Sequence, residues 1–178
     1  HLLIRGSAHA RGDKVEPRFP TILTDKKPIV KATAKSTGRR KAFAEWLVNE
    51  SPMTSKVMVN RIWQYHFGRG IVRTTSDFGN LGDTPTHEQL LHYLAVTFKQ
   101  QDWSWKQMHK HIMLSSTYQM SSKTNEKALK MDPRNNLFWR FNMRRLTSEE
   151  VRDSILAATG NLMLNYGGPS VFPKISQE

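Results

Sequence analysis

Three of the seven histidines, His66, His87 and His109, fall on the apolar sides of segments whose spacing predicts helices. An imidazole held among apolar neighbours can work as a general acid or base, or as a metal ligand. A carboxylate from a neighbouring loop would complete either arrangement. The stretch "GRGIVRTTSDFGNLGDTP", residues 68–85, offers Asp77 and Asp83, and Arg61 stands on the segment before it. The candidate catalytic residues are therefore His66, Asp77, His87 and Arg61, and the candidate metal ligands are His66, His87 and His109. No metal is expected from these, because the sequence has no H-E-x-x-H, no D-x-D-x-D-G loop and no paired carboxylates. The plain alternative is that each inward histidine is a packing residue with one ring nitrogen satisfied by a neighbour. His92 and His111 project outward and serve as controls.

The elements that must position these residues are read from period and caps. Met58, Val59, Ile62, Trp63 and His66 share one side of a helix that starts after Pro52, with Ser51 or Thr54 as cap, and stops at Gly68. This reading puts His66 near the centre of the buried stripe. An earlier helix, residues 38–49, carries Phe43, Trp46 and Leu47 on one face. A third opens at "TPTHEQ" with Thr86 and Gln89 as a capping box and continues through Leu90, Leu91, Leu94 and Phe98. A fourth opens at Ser104, and a fifth at Thr147 with Glu150 as box partner, ending at Gly160. The expected fold is mainly α: about five helices, an extended N-terminal arm and a long glycine-rich loop. Within the arm, Leu2 to Arg5 reads as a short strand. The expected organisation is an arm and basic linker over residues 1–35 and a helical domain over 36–178.

Composition narrows the function classes. With 178 residues and 38% hydrophobic content the chain can bury one sizeable core. It has no cysteine, which excludes disulfides, thiolate metal sites and haem attached through C-x-x-C-H within this segment. No apolar run approaches the roughly 20 residues of a membrane span. The formal charge is +12, and Lys26, Lys27, Lys31, Lys35, Arg39, Arg40 and Lys41 form a run without an acid. Such a run is either a solvated linker or a surface for a polyanion such as an acidic polysaccharide. The serines around Tyr118 lack a G-x-S-x-G elbow, and "GRG" at Gly68 to Gly70 lacks the phosphate-loop pattern. The opening at His1 and the close "PSVFPKISQE" are read as the ends of a segment from a longer protein.

The stretches "GRRKAFAEWLV", "MTSKVMVNRIWQYHFGRGIVRTTSDFG", "TPTHEQLLHYLAVTF", "WSWKQMHKHIMLSSTYQMSS" and "RRLTSEEVRDSILAATGNL" with "GGPSV" occur in an order that resembles the planctomycete PSD domain. That is a domain of unknown function found C-terminal to cytochrome c-like modules in large planctomycete and verrucomicrobial proteins. The family pattern falls on Arg5, Gly6, Asn60, Arg61, Trp63, His66, Gly68, Gly70, Asp77, Phe78, Gly79, His87, Arg152 and Asp153. The sequence departs from it at Tyr65, where a second histidine is frequent, and at Leu81 and Asp83 in the loop. The resemblance implies a part of a larger, periplasmic or secreted protein, with haem carried elsewhere in the parent and no cofactor in this segment. Its expected role is a structural or interaction module that packs against neighbouring domains of the parent. The alternatives are an enzyme acting on an extracellular polymer through a His/Asp site at the glycine-rich loop, and a polyanion-binding module.

Overall fold

A computed structural model describes residues 1–165 together with Gly167 and Gly168. The closing stretch "PSVFPKISQE", and with it most of "GGPSV", lies outside the described residues. The described residues form six α-helices and no sheet, in agreement with a mainly α fold: α1 Arg39–Asn49, α2 Pro52–Phe67, α3 Glu88–Gln100, α4 Trp105–Met113, α5 Glu126–Met131 and α6 Ser148–Ala158. Contacts divide the chain into two compact units after Asn142. The first contains α1 to α5 and the second contains α6.

The core of the first unit is where the apolar faces of α2 and α3 meet, closed by α4 and by two irregular segments. Val59, Ile62, Trp63 and Phe67 from α2 pack with Leu91, Leu94, Ala95 and Phe98 from α3 and with Met108 and Ile112 from α4. Ile71 and Val72, just after α2, and Phe138 complete the cluster. Each helix begins and ends for local reasons. Ser51 accepts the Met53 N–H at 3.4 Å and Pro52 occupies the first turn of α2, where its missing N–H costs nothing. Gly68 ends that helix at φ 79°, a left-handed conformation that glycine adopts without penalty. Ser104 caps α4 by accepting the Gln107 N–H, and Asn125 caps α5 by accepting the Ala128 N–H at 3.0 Å.

Some expectations need correction. The third helix is not opened by a Thr86–Gln89 box. Thr86 instead gives both its N–H and its hydroxyl to the Ile71 carbonyl, at 3.0 and 3.2 Å, which ties the end of the glycine-rich loop to its beginning. Helix α5 was not anticipated, because "EKALKM" is six residues with no apolar period and no buried side chain. Leu2 to Arg5 is not a strand. A single antiparallel bridge joins Leu3 to Arg11, and the chain turns at once through a 3-10 turn, Ile4–Gly6. On α1, Ala42 and Trp46 are buried while Phe43 is exposed.

The arm meets α1 through rings. Phe19 is buried and stacks on Trp46 with centroids 4.8 Å apart and planes 13° from parallel. The chain then reverses between Thr33 and Ser36, whose backbones exchange hydrogen bonds. Gly38, at φ 75°, is the last residue before α1, and a Cβ there would run into the Lys31 carbonyl. Only glycine meets both demands. No side chain caps α1, and its first turn holds Arg39, Arg40 and Lys41, charges that oppose the helix dipole. Burial of Trp46 and Ala42 offsets that cost.

Candidate functional site

Helix α2 brings Asn60, Trp63, His66 and Phe67 to one side at spacings of three and four residues, and each does a different job. Asn60 is fully buried. Its Nδ2 donates to the Val72 carbonyl and its Oδ1 accepts the Val72 N–H, both at 2.9 Å. One side chain thus takes the place of a paired strand for Val72 and fixes how the chain leaves the helix. Gly70 lies beneath it, where a Cβ would collide with the Asn60 amide and the Val72 carbonyl.

One turn further along α2, His66 reaches α4. Its Nε2 lies 2.8 Å from Nδ1 of His109. The ring centres are 5.0 Å apart, farther than the two nitrogens by about two ring radii. The nitrogens therefore point at each other head-on, as an N–H donor and a lone-pair acceptor do. Two imidazoles sharing one metal ion would instead be bent toward it, with their centres drawn closer for the same separation of nitrogens. The contact is an imidazole–imidazole hydrogen bond. The rings of Tyr118 and His66 meet in a T-shape, with centroids 5.3 Å apart and planes at 88°. Burial, and then the neighbouring His109, lower the His66 pKa below the usual histidine value. The shift favours the neutral imidazole. It sits half-buried at the seam between α2 and α4, not at the centre of the stripe, which Val59, Ile62 and Trp63 occupy.

The other candidates are elsewhere. His87 is the residue before α3, half-buried, with its ring 5.6 Å from Phe138 and its Nδ1 3.1 Å from the Thr86 hydroxyl. The Asp77 carboxylate accepts the Gly79 N–H at 2.8 Å and serves the loop itself, while the bond at Asp83 is made by its backbone N–H, to the Thr74 hydroxyl at 2.8 Å, and does not use its carboxylate. Arg61 is exposed on the outer side of α2. Of His66, His87 and His109 the structure joins two. Among the described residues no three His, Asp or Glu side chains gather as the ligands of one ion would. The outward controls differ from each other: His92 is exposed, while His111 reaches the Tyr93 hydroxyl at 3.1 Å.

The loop after α5 forms a second knot that the sequence pattern did not reveal. Asn135 is buried at φ 51°. Its Nδ2 donates to the Arg140 carbonyl at 2.7 Å and to Asn142 Oδ1 at 3.0 Å. Arg69, just past α2, crosses to this loop, donates to the Arg134 carbonyl at 2.7 Å and to the Asn135 carbonyl, and lies over the Phe138 ring. Arg73 donates to Asn136 Oδ1. Burial would raise the Asp132 pKa, but the Leu137 and Asn136 N–H groups and the charges of Arg69 and Arg73 outweigh it and leave the carboxyl below its usual value. The only prior signal was the concentration of Asn and Arg in "DPRNNLFWRFN", and polar residues in a loop do not announce a partner so far away in sequence.

The first unit is thus helical, with a two-histidine hydrogen bond between α2 and α4 and buried asparagines that hold its irregular segments. The chain belongs to the PSD1 family, described as proteins of unknown function (DUF1553), which matches residues 39–178. No curated protein and no solved structure matches the chain.

Proposed function

We propose that this chain is a non-catalytic helical module of a larger protein, one that packs against the parent's neighbouring domains. The observation that carries the reading is the employment of its chemically capable side chains. Asn60 holds Val72, Asp77 holds Gly79, and His66 and His109 hold each other. Each makes a bond that maintains the fold. The second unit supports an interaction role. Helix α6 has no buried residue, and Leu146, Val151 and Ile155 are exposed beside a hollow of about 650 Å³. Apolar surface of this kind marks a place where another surface is received. The resemblance noted in the sequence supports an extracytoplasmic setting with haem on other domains of the parent. No helix among the described residues is long and apolar enough to cross a membrane.

Two measurements test the reading. The chain, supplied in trans with the parent's remaining domains, is expected to bind them, and Val151→Asp with Ile155→Asp is expected to weaken that binding. The chain alone is expected to turn over no ester, phosphoester or glycoside substrate. An activity present in the parent sequence and lost in His66→Gln or His109→Gln would replace this reading with an enzyme that uses the neutral imidazole as a base.

A further inference from the structure

We infer that the basic chain reversal in front of α1 is a binding surface for an acidic polysaccharide. This goes beyond the module reading and does not depend on it.

The run from Lys26 to Lys41 has seven cations and no acid of its own. Two of them find acids on α1 and its cap: Lys26 meets Glu50 at 2.6 Å, and Lys41 meets Glu45 at 3.7 Å. Lys27, Lys31, Lys35, Arg39 and Arg40 make no ion pair with any described residue. Like charges so close together repel, and an anionic ligand relieves that repulsion.

A linker free along its whole length would spread such charges apart, but this run is tied back at intervals. Phe19 stacks on Trp46 upstream of it, Lys26 pairs with Glu50 at its start, Thr33 and Ser36 close the reversal, and the Lys31 carbonyl lies against Gly38 just before α1. These ties limit how far the cations can spread, which lowers the ordering cost a ligand meets. Hollows run beside this backbone. One of about 600 Å³ is lined by Lys26, Lys27, Ile29, Trp46 and Asn49. Another of about 500 Å³ is lined by Lys31, Gly38 and Lys41, and Ile29, Ala42 and Glu45 border both. A smaller one of about 200 Å³ lies among Arg18, Arg39 and Phe43.

The class of polymer follows from what lies between the cations. Glu45 and Glu50 interrupt them, so a strand with a phosphate at every residue would meet repulsion at intervals. Single-stranded nucleic acid also needs a series of aromatic faces for its bases, whereas Phe19 and Trp46 are stacked on each other and buried, leaving only Phe43 exposed. A sugar polymer with one carboxylate or sulfate per repeat fits better. Its apolar ring faces match Ile29 and Phe43, and the Asn49 amide can serve its hydroxyls.

Binding isotherms of the 178-residue chain for hyaluronan, a galactan with one sulfate per disaccharide, and a single-stranded oligothymidine, at about 50 mM and about 200 mM salt, test the proposal. Saturable binding to at least one polysaccharide is expected, weakening at the higher salt. The variant Lys27→Gln/Lys31→Gln/Lys35→Gln/Arg39→Gln is expected to lose about tenfold or more, and Lys106→Gln/Lys110→Gln/Lys123→Gln/Lys127→Gln, of equal charge change, less than about twofold. Circular dichroism checks that each variant folds. Should the first not fold, Lys31→Gln/Lys35→Gln is expected to lose about threefold on the same comparison. Equal losses in the two charge-matched sets, binding that ignores salt, or tighter binding of the oligothymidine at matched charge would overturn the assignment.

Discussion

Two side chains show how much a single residue can carry. Removing the Asn60 amide takes away the partners of the buried Val72 N–H and carbonyl. Asn60→Ala is therefore expected to cost about 2–4 kcal/mol in denaturant unfolding, more than an average core polar change. A cost below about 1 kcal/mol would mean that water enters and replaces the amide. His66 acts through a proton. Its folded pKa lies below the unfolded value of about 6.5, so the unfolded chain binds the proton more readily. The stability that this histidine contributes is present above that value and is lost as pH falls through the folded pKa. Thermal melts from pH 7.5 to pH 5 should show a decline that His66→Gln flattens, and an equally steep decline in the variant would assign the effect to other groups. The histidine pair itself could not be read from the sequence. Helical projection places His66 and His109 each toward an apolar side, but which histidine meets which is decided by how α4 crosses α2.

Helix ends were the most legible elements, because a cap is a local event. The Thr147 and Glu150 box is present as the sequence predicts: Glu150 N–H donates to the Thr147 hydroxyl at 3.3 Å, and Thr147 N–H donates to Glu150 Oε2 at 2.9 Å. Ser51, Gly68 and Ser104 also act where the pattern put them. Legibility failed where a tertiary partner took over a local group, as the Ile71 carbonyl takes the Thr86 hydroxyl, and where an element was too short to show a period, as in α5. At the N-terminus of α6, the Arg144 guanidinium and the Thr147 N–H bring the Glu150 pKa down to about 2. A depressed carboxyl contributes above its unfolded pKa and ceases to as pH falls toward the folded one. Helicity lost between about pH 4.5 and pH 2 should thus be smaller in Glu150→Gln, as read by circular dichroism. Thr147→Ala should cost about 1 kcal/mol through the other half of the box.

At the scale of the first unit, the arm and the helices are one body because of a ring stack that neither segment reveals alone. Trp46 reads as a core residue of α1, and the structure gives it Phe19 as its cover. Phe19→Ala is expected to shift Trp emission to longer wavelength and to lower stability by about 2–4 kcal/mol, since a large buried ring is removed. Unchanged emission would mean that Trp46 has another cover. The stack also sets an order of events. It closes a long loop that carries seven like charges, whereas the caps of α2 and α4 form within a turn of chain. Loop closure costs chain entropy before any contact rewards it, and here charge repulsion adds to the cost. The arm is accordingly the last part of the unit to fold and the first to open. Its backbone amides should exchange with solvent while those of α2 and α3 remain protected, and a protease that probes native-state fluctuations should cut first near the Thr33–Ser36 reversal.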